Sequence, residues 1–138
     1  MSTFRTDLTK AAKNQVAEKS RREITFTIRD SAEVILVGTA LDFVKLTIYD
    51  EATGAIINSR TGIDELQPGN PTGQIIVGAA VEDNGKLILD PDDNPIVASP
   101  AIDSEVHVVQ LDYQWDSDPK KIGRHLIRVL VVDLLKTT

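Results

Sequence analysis

The sequence predicts a mainly β fold: a single immunoglobulin-like, antiparallel β-sandwich of about seven to eight strands, with a short N-terminal helix or arm. Three observations support this prediction. Apolar and polar residues alternate in short runs from residue 23 onward, turn signals recur about every 8 to 12 residues, and no helical periodicity separates the runs. We therefore divide the chain into an N-terminal helical or arm segment, 1–22, and a β-sandwich domain, 23–138.

The composition excludes several kinds of function. The chain has 138 residues, the size of one domain, and contains no Cys, which excludes disulfides, zinc–thiolate sites and thiol chemistry. Its formal net charge of −6 has the wrong sign for general attraction to nucleic acid or to an anionic membrane. No run approaches the ~20 apolar residues that span a bilayer, and the N-terminus lacks the apolar core of a signal peptide. We expect folding in the cytoplasm and neither a nucleic-acid nor a membrane partner.

The segment 1–22 differs in composition from the rest of the chain. Its apolar residues recur at three- and four-residue spacing among Lys, Arg and Glu, which is typical of a weakly amphipathic helix. Two interpretations stay open. The helix packs on its own sheet or is partly disordered, or it is an arm that docks on a neighbouring subunit. The second interpretation makes four residues candidates for an interaction: Phe4, Leu8, Ala12 and Val16.

Period-two alternation predicts the strands that follow. Turn clusters at 50–54 and 82–85, each containing Gly, predict hairpins. The Gly- and Pro-rich stretch 61–71 predicts a surface loop, and three prolines within 90–102 predict a crossover loop. The strands predicted between these turns and loops are 24–29, 33–38, 41–49, 55–59, 74–81 and 86–89.

Two long apolar runs around a polar turn, 116–121, predict a C-terminal hairpin over 104–135 that forms the core of the fold. With antiparallel strands turning near residue 118, positions whose numbers sum to about 236 face each other. This register places His107 near Leu130 and His125 near Leu111, so the two histidines are not cross-strand neighbours. Two isolated histidines make neither a three-ligand metal site nor an oriented base, and we predict structural or surface roles for both.

One loop contains a possible cation site. Asp90, Asp92 and Asn94 occupy alternate positions, as oxygen ligands do at the start of a calcium loop. The pattern then fails, because Pro95 stands where a calcium loop of this type needs Gly and Ala101 stands where it needs Glu. The alternative is a turn whose Asp and Asn side chains bond local backbone N–H groups. No nucleophile elbow or phosphate-binding glycine motif is present, so we predict neither an enzyme nor a cofactor.

Tyr113 and Trp115 share one face of the first hairpin strand, next to the polar turn. Such a pair can form a platform for sugar stacking or contact a partner. In a chain with so few aromatic residues the pair can equally be the main aromatic part of the core. Both interpretations stay open from the sequence.

Three stretches, in this order after the basic N-terminal segment, resemble a type of small tailed-phage virion protein. They are LDFVKLTIYDEATGAIINSR, LILDPDDNPIV and EVHVVQLDYQWDSDPKKIGRHLIRVLVVDL. The resemblance covers about residues 20 to 135. It implies a β-sandwich coupled to an N-terminal segment and a place in a tail, baseplate, neck or fibre attachment, and it implies no catalytic residues.

The sequence thus predicts a non-enzymatic structural protein that assembles with itself and with other virion proteins through sheet edges and the N-terminal arm. It would be made in the host cytoplasm and end in the virion, with a small-molecule ligand not expected. The alternative is a carbohydrate-binding or adhesion module that uses Tyr113 and Trp115 as a platform, with the Asp90–Asn94 loop as its calcium site.

Overall fold

The computed structural model describes residues 2–9, 15–67, 73–96 and 104–132, and it confirms a mainly β fold with two sheets. Apolar side chains of both sheets join in one buried core, for example Leu46 and Val109 of the first with Phe26 and Leu87 of the second. The immunoglobulin-like topology stays a prediction. The larger sheet contains β1 (Ser2–Asp7), β2 (Val16–Ala17), β4 (Leu41–Asp50), β5 (Ile63–Asp64), β8 (Ser104–Trp115) and β9 (Ile122–Val132); the smaller contains β3 (Arg22–Phe26), β6 (Ile75–Val77) and β7 (Gly85–Leu89).

Strands β8 and β9 form the predicted hairpin, and its register is confirmed. Partners run from Ser104 opposite Val132 to Gln114 opposite Ile122, so every pair sums to 236. His125 lies opposite Leu111 as predicted, whereas His107 lies opposite Val129, one residue from the expected Leu130. The register is specified because a slip of one residue would turn the apolar face of each strand away from the core.

The helix predicted for 1–22 is wrong over the described part of that segment. β1 and β2 are strands of the larger sheet, and both run parallel to β9, so the sandwich is not purely antiparallel. Phe4 and Leu8 are half-buried while Thr3, Arg5 and Asp7 are exposed, which is period-two alternation. The sequence misled because a spacing of four residues is a multiple of two and therefore fits one face of a strand as well as a helix.

Two predicted strands are reduced to single bridges. In 33–38 only Ile35 pairs, with Arg29, and a short 3₁₀ turn follows at Gly38–Ala40. In 55–59 only Ile56 pairs, with Tyr49. Asn58 and Ser59 both have positive φ, of 53° and 56°, which extended strands do not allow. The strand predicted over 74–81 is confirmed only at Ile75–Val77.

One long side of the sandwich is closed by the chain that follows β5. Glu65 N donates to Val44 O of β4 at 3.1 Å, and Glu65 O accepts from Ile75 N of β6 at 3.0 Å. Residues 63–67 therefore form backbone hydrogen bonds with both sheets, so this part of the predicted surface loop belongs to the β-structure. On the other long side the edge strands are β1 and β3, and within the described ranges neither has a strand on its outer edge.

No helix in the described part of the chain is long and apolar enough to cross a membrane.

Candidate functional site

Tyr113 and Trp115 are core residues. They are 1% and 5% exposed, and their ring centroids lie 5.9 Å apart. The Tyr113 hydroxyl donates to Arg29 O at 2.7 Å, and burial raises the pKa of this hydroxyl. Neither ring is accessible, so the interpretation as packing is correct and a stacking platform at these residues is excluded.

The other predicted interaction residues that the structure describes lie in two environments. Val16 is 1% exposed and belongs to the core, so it cannot meet a partner. Phe4 and Leu8 are half-buried on the inner face of β1 and line clefts beside it. Ala12 lies outside the described residues. The sequence therefore identified two residues that border an accessible surface, although it assigned them to a helix.

The Asp90–Asn94 loop is organised around a residue that the sequence pattern did not single out. Asp92 is exposed, whereas Asn94 is buried and donates from Nδ2 to Ser20 O at 2.8 Å, so the alternating trio does not form a shared site. Asp90 and Asp93 instead form a capping box around a short 3₁₀ turn. This outcome matches the local hydrogen-bonding alternative.

Asp93 is fully buried and is the centre of a polar network. Its carboxylate accepts hydrogen bonds from Arg60 Nε at 3.0 Å and from Asp90 N at 2.9 Å, and the amides of Asn58 and Gln74 donate at 2.8 and 2.9 Å. Burial alone would raise the pKa of Asp93, but these hydrogen bonds outweigh it and hold the pKa below its usual value. The positive charge of the Arg60 guanidinium compensates the negative charge of the buried Asp93 carboxylate.

The open side of the sandwich has a cleft between β1 and β3. A cavity of about 260 Å³ is lined by Phe4, Arg5 and Thr6 from the first strand and by Thr25 and Phe26 from the second. His125 of β9 also lines it, is 5% exposed, and contacts Thr6 Oγ1 through Nε2 at 2.8 Å. A smaller cleft continues the groove between Leu8 and β3.

The outer edge of β1 presents backbone groups without a strand partner in the described ranges. Leu8 N donates to Arg128 O of β9 at 2.9 Å. Backbone groups alternate in direction along a strand, so the N–H and C=O groups of Phe4, Thr6 and Leu8 face β9. The N–H and C=O groups of Thr3, Arg5 and Asp7 point away from β9. Such an edge is a template for adding another strand.

Of the two charged residues of β1, Asp7 forms an ion pair with β9 and Arg5 does not. Arg128 donates to Asp7 at 2.8 Å and forms a two-pronged pair with Glu51 at 2.6 and 2.8 Å. Hydrogen bonds from Thr9, with a smaller part from Arg128, lower the pKa of Asp7. The hydrogen bonds between Arg128 and Glu51 lower the pKa of Glu51 and raise that of Arg128. Arg5 is exposed and makes no ion pair or side-chain hydrogen bond with the described residues, so its charge is available to a partner.

A second polar cluster lies at the end of the β4–β8 pair. Asp50, Glu105 and His107 are all buried, and one possible ligand atom from each lies within 4.8 Å of the other two. His107 Nε2 lies 2.5 Å from Glu105 Oε2. His107 was expected to be isolated, and the structure places it beside two carboxylates instead. The signal in the sequence was the Glu105–His107 spacing of two, but Asp50 joins only through the β4–β8 register.

The comparisons with known proteins do not identify a relative. No family model matches this chain, and no curated protein or solved structure matches it. Function must therefore be inferred from the geometry of the described residues.

Proposed function

We propose that this protein is a non-enzymatic structural subunit of a phage virion, in the tail, baseplate or neck, and that it assembles through the outer edge of β1 with a second copy of itself. The virion assignment rests on the three stretches of sequence that resemble tailed-phage proteins. The mode of assembly rests on the open edge of β1, which is the observation that carries the proposal.

The two long sides of the sandwich differ, and the difference favours β1 as the contact. Residues 63–67 join β4 to β6 on one side. On the other side, β1 offers the outward N–H and C=O groups of Thr3, Arg5 and Asp7. A short, twisted or charge-blocked edge resists pairing, but β1 has six residues and no Pro. Backbone hydrogen bonds along such an edge hold two subunits together without any pocket.

One register of antiparallel self-pairing satisfies the charges. When position numbers in the two copies sum to 12, Arg5 lies opposite Asp7 of the second copy, and the reverse pair forms by symmetry. These are residues whose backbone groups point outward, so they are also the hydrogen-bonded pairs. A sum of 10 places Arg5 opposite Arg5, and a sum of 14 places Asp7 opposite Asp7, and like charges directly opposite are destabilising.

The same register brings apolar residues together on the inner face. Phe4 lies opposite Leu8 of the second copy, and Thr6 lies on the two-fold axis. Phe4 and Leu8 line the clefts between β1 and β3, where solvent reaches them in the isolated chain. Self-pairing would bury more of their apolar surface. The edge therefore offers hydrogen bonds, two ion pairs and apolar burial in one arrangement.

Sedimentation equilibrium of the full chain tests this proposal. We expect a concentration-dependent dimer of twice the 15.1 kDa chain mass. Arg5→Pro removes an outward N–H without removing a bond to β9, so it should shift the chain to monomer while leaving the circular dichroism unchanged. Arg5→Glu should weaken the dimer and Arg5→Lys should preserve it. Lys120→Glu, the same charge change in the exposed 116–121 turn, is the matched control.

A wild-type chain that remains monomeric at all concentrations would overturn self-assembly, as would a dimer that Arg5→Pro leaves intact. Deleting residues 1–22 is a poor test, because it removes β1, β2 and the core residue Val16 together. The virion assignment has its own test in mass spectrometry of purified particles of the phage that encodes the chain. Stoichiometric recovery with the tail or neck supports it, and absence from mature particles contradicts it.

The carbohydrate-binding alternative depended on an accessible Tyr113–Trp115 platform and a calcium site at Asp90–Asn94. Both rings are buried, and the loop is held by Asp93 and Arg60. We therefore do not propose that function.

A further inference from the structure

Asp50, Glu105 and His107 occupy adjacent positions on the inner face of the larger sheet. Asp50 pairs directly with His107 across β4 and β8, and Glu105 precedes His107 by two residues on the same face. The three residues are 2%, 6% and 0% exposed. Two carboxylates buried this close together are an arrangement that a positive charge, such as a bound cation, stabilises.

Two further observations indicate a ligand at this cluster. The His107 side chain is 1% exposed, and its Nδ1 has no hydrogen-bond partner among the described residues. Nε2 is the ring nitrogen that faces Glu105, and the unpartnered Nδ1 leaves the other side of the ring open to a bound water. A cavity of about 370 Å³ is lined by two members of the cluster, Asp50 and Glu105.

Asp50 is also held in place for ligation. Its Oδ2 accepts hydrogen bonds from Thr53 Oγ1 at 2.7 Å and from Thr53 N at 3.2 Å. Its Oδ1 accepts none from the described residues. Outer hydrogen bonds of this kind orient ligating carboxylates in metal sites.

We propose that Asp50, Glu105 and His107 bind a divalent transition-metal ion, for which Zn²⁺ is the test ion. One imidazole nitrogen and two carboxylate oxygens are ligands that zinc accepts, and calcium prefers a larger set made only of oxygens. A fourth ligand would be water from the cavity. Ligand atoms around a tetrahedral ion lie roughly 3.3 Å apart, so the Nε2–Oε2 contact of 2.5 Å opens when the ion binds.

The composition makes this proposal easy to test. The chain has no Cys and only two His, so a zinc site with a nitrogen side-chain ligand must use His107 or His125. His125 is buried as well and its Nδ1 also lacks a partner, but the described residues place no pair of carboxylates around it. His125→Asn is therefore a control matched in residue type, burial and substitution.

Isothermal titration of the full chain with ZnCl₂, after chelator treatment, is the experiment. We expect one ion per chain and a melting temperature that rises with zinc concentration. Affinity should fall at least about tenfold in His107→Asn and in Asp50→Asn, and should be unchanged in His125→Asn. CaCl₂ should produce no binding.

Circular dichroism establishes whether each variant folds. If His107→Asn does not fold, Asp50→Asn serves in its place, because an Asn side chain still accepts from Thr53. In the wild type, ring ¹⁵N resonances of His107 should move on zinc addition while those of His125 do not. Absence of stoichiometric binding to the wild type overturns the proposal. So does a loss of binding in His125→Asn with binding retained in His107→Asn.

Discussion

His125 makes the stability of this protein depend on pH in a defined window. The ring lies at the base of the cleft between β1 and β3, 5.8 Å from the ring of Phe26 between centroids, and it is 5% exposed. Burial lowers the pKa of His125 to about 4, from an ordinary value of 6.5. The folded protein therefore holds this ring neutral over a range in which the unfolded chain protonates it.

The sign and size of the effect follow from this difference. Between pH 6.5 and 4 the unfolded chain binds a proton that the folded chain does not, so the free energy of unfolding falls as pH falls. The contribution is complete above pH 6.5 and lost as pH drops toward 4. A difference of about 2.5 pKa units corresponds to about 3 kcal/mol, at 1.36 kcal/mol per unit.

Urea denaturation at several pH values between about 7 and 4 measures this contribution when the wild type is compared with His125→Gln. Gln stays neutral throughout and can still bond Thr6. Carboxylates titrate in both proteins, so the difference between the two curves isolates His125. The wild type should lose about 3 kcal/mol more than the variant over this range. Parallel curves would refute the account of a buried neutral ring.

Two substitutions test the packing around the core. Asp93→Ala should destabilise the fold by about 3 to 5 kcal/mol, because it leaves buried donors and a guanidinium without their carboxylate; exposed Asp92→Ala should cost no more than about 0.5 kcal/mol in the same denaturation assay. Gly123→Ala should cost about 1 to 3 kcal/mol, since its Cβ would stand 2.6 Å from the Tyr113 ring. Gly78→Ala, with ordinary contact at 3.7 Å, is the control, and equal melting temperatures for the two Gly variants would contradict this packing.

The long strands were predictable because each carries its own pattern. β8 and β9 alternate over 12 and 11 residues around one polar turn, so their pairing and register followed from the sequence alone. The short segments were not predictable in this way. The spacing of Phe4 and Leu8 fits both a helix and a strand. The segment is a strand because it pairs with the edge of β9. Tertiary pairing outweighs local preference here.

The polar clusters were beyond prediction because their members come from different parts of the chain. Arg60 meets Asp93 only because the chain after β4 lies against the loop after β7. Asp50 joins Glu105 and His107 only through the β4–β8 register. The members of each cluster are far apart in sequence, so neither cluster forms a sequence motif.

Disulfide trapping across the proposed two-fold axis tests self-assembly through β1 most directly. Thr6 would face Thr6 of the second copy as a non-hydrogen-bonded pair, with Cα atoms about 4.5 Å apart, which is within the range of a disulfide. The natural chain has no Cys, so Thr6→Cys introduces a single thiol. We predict a covalent dimer on mild oxidation of Thr6→Cys and none for Thr25→Cys, which lies at an exposed position of β3. A Thr6→Cys protein that is folded but stays monomeric under oxidation would contradict the proposed edge pairing.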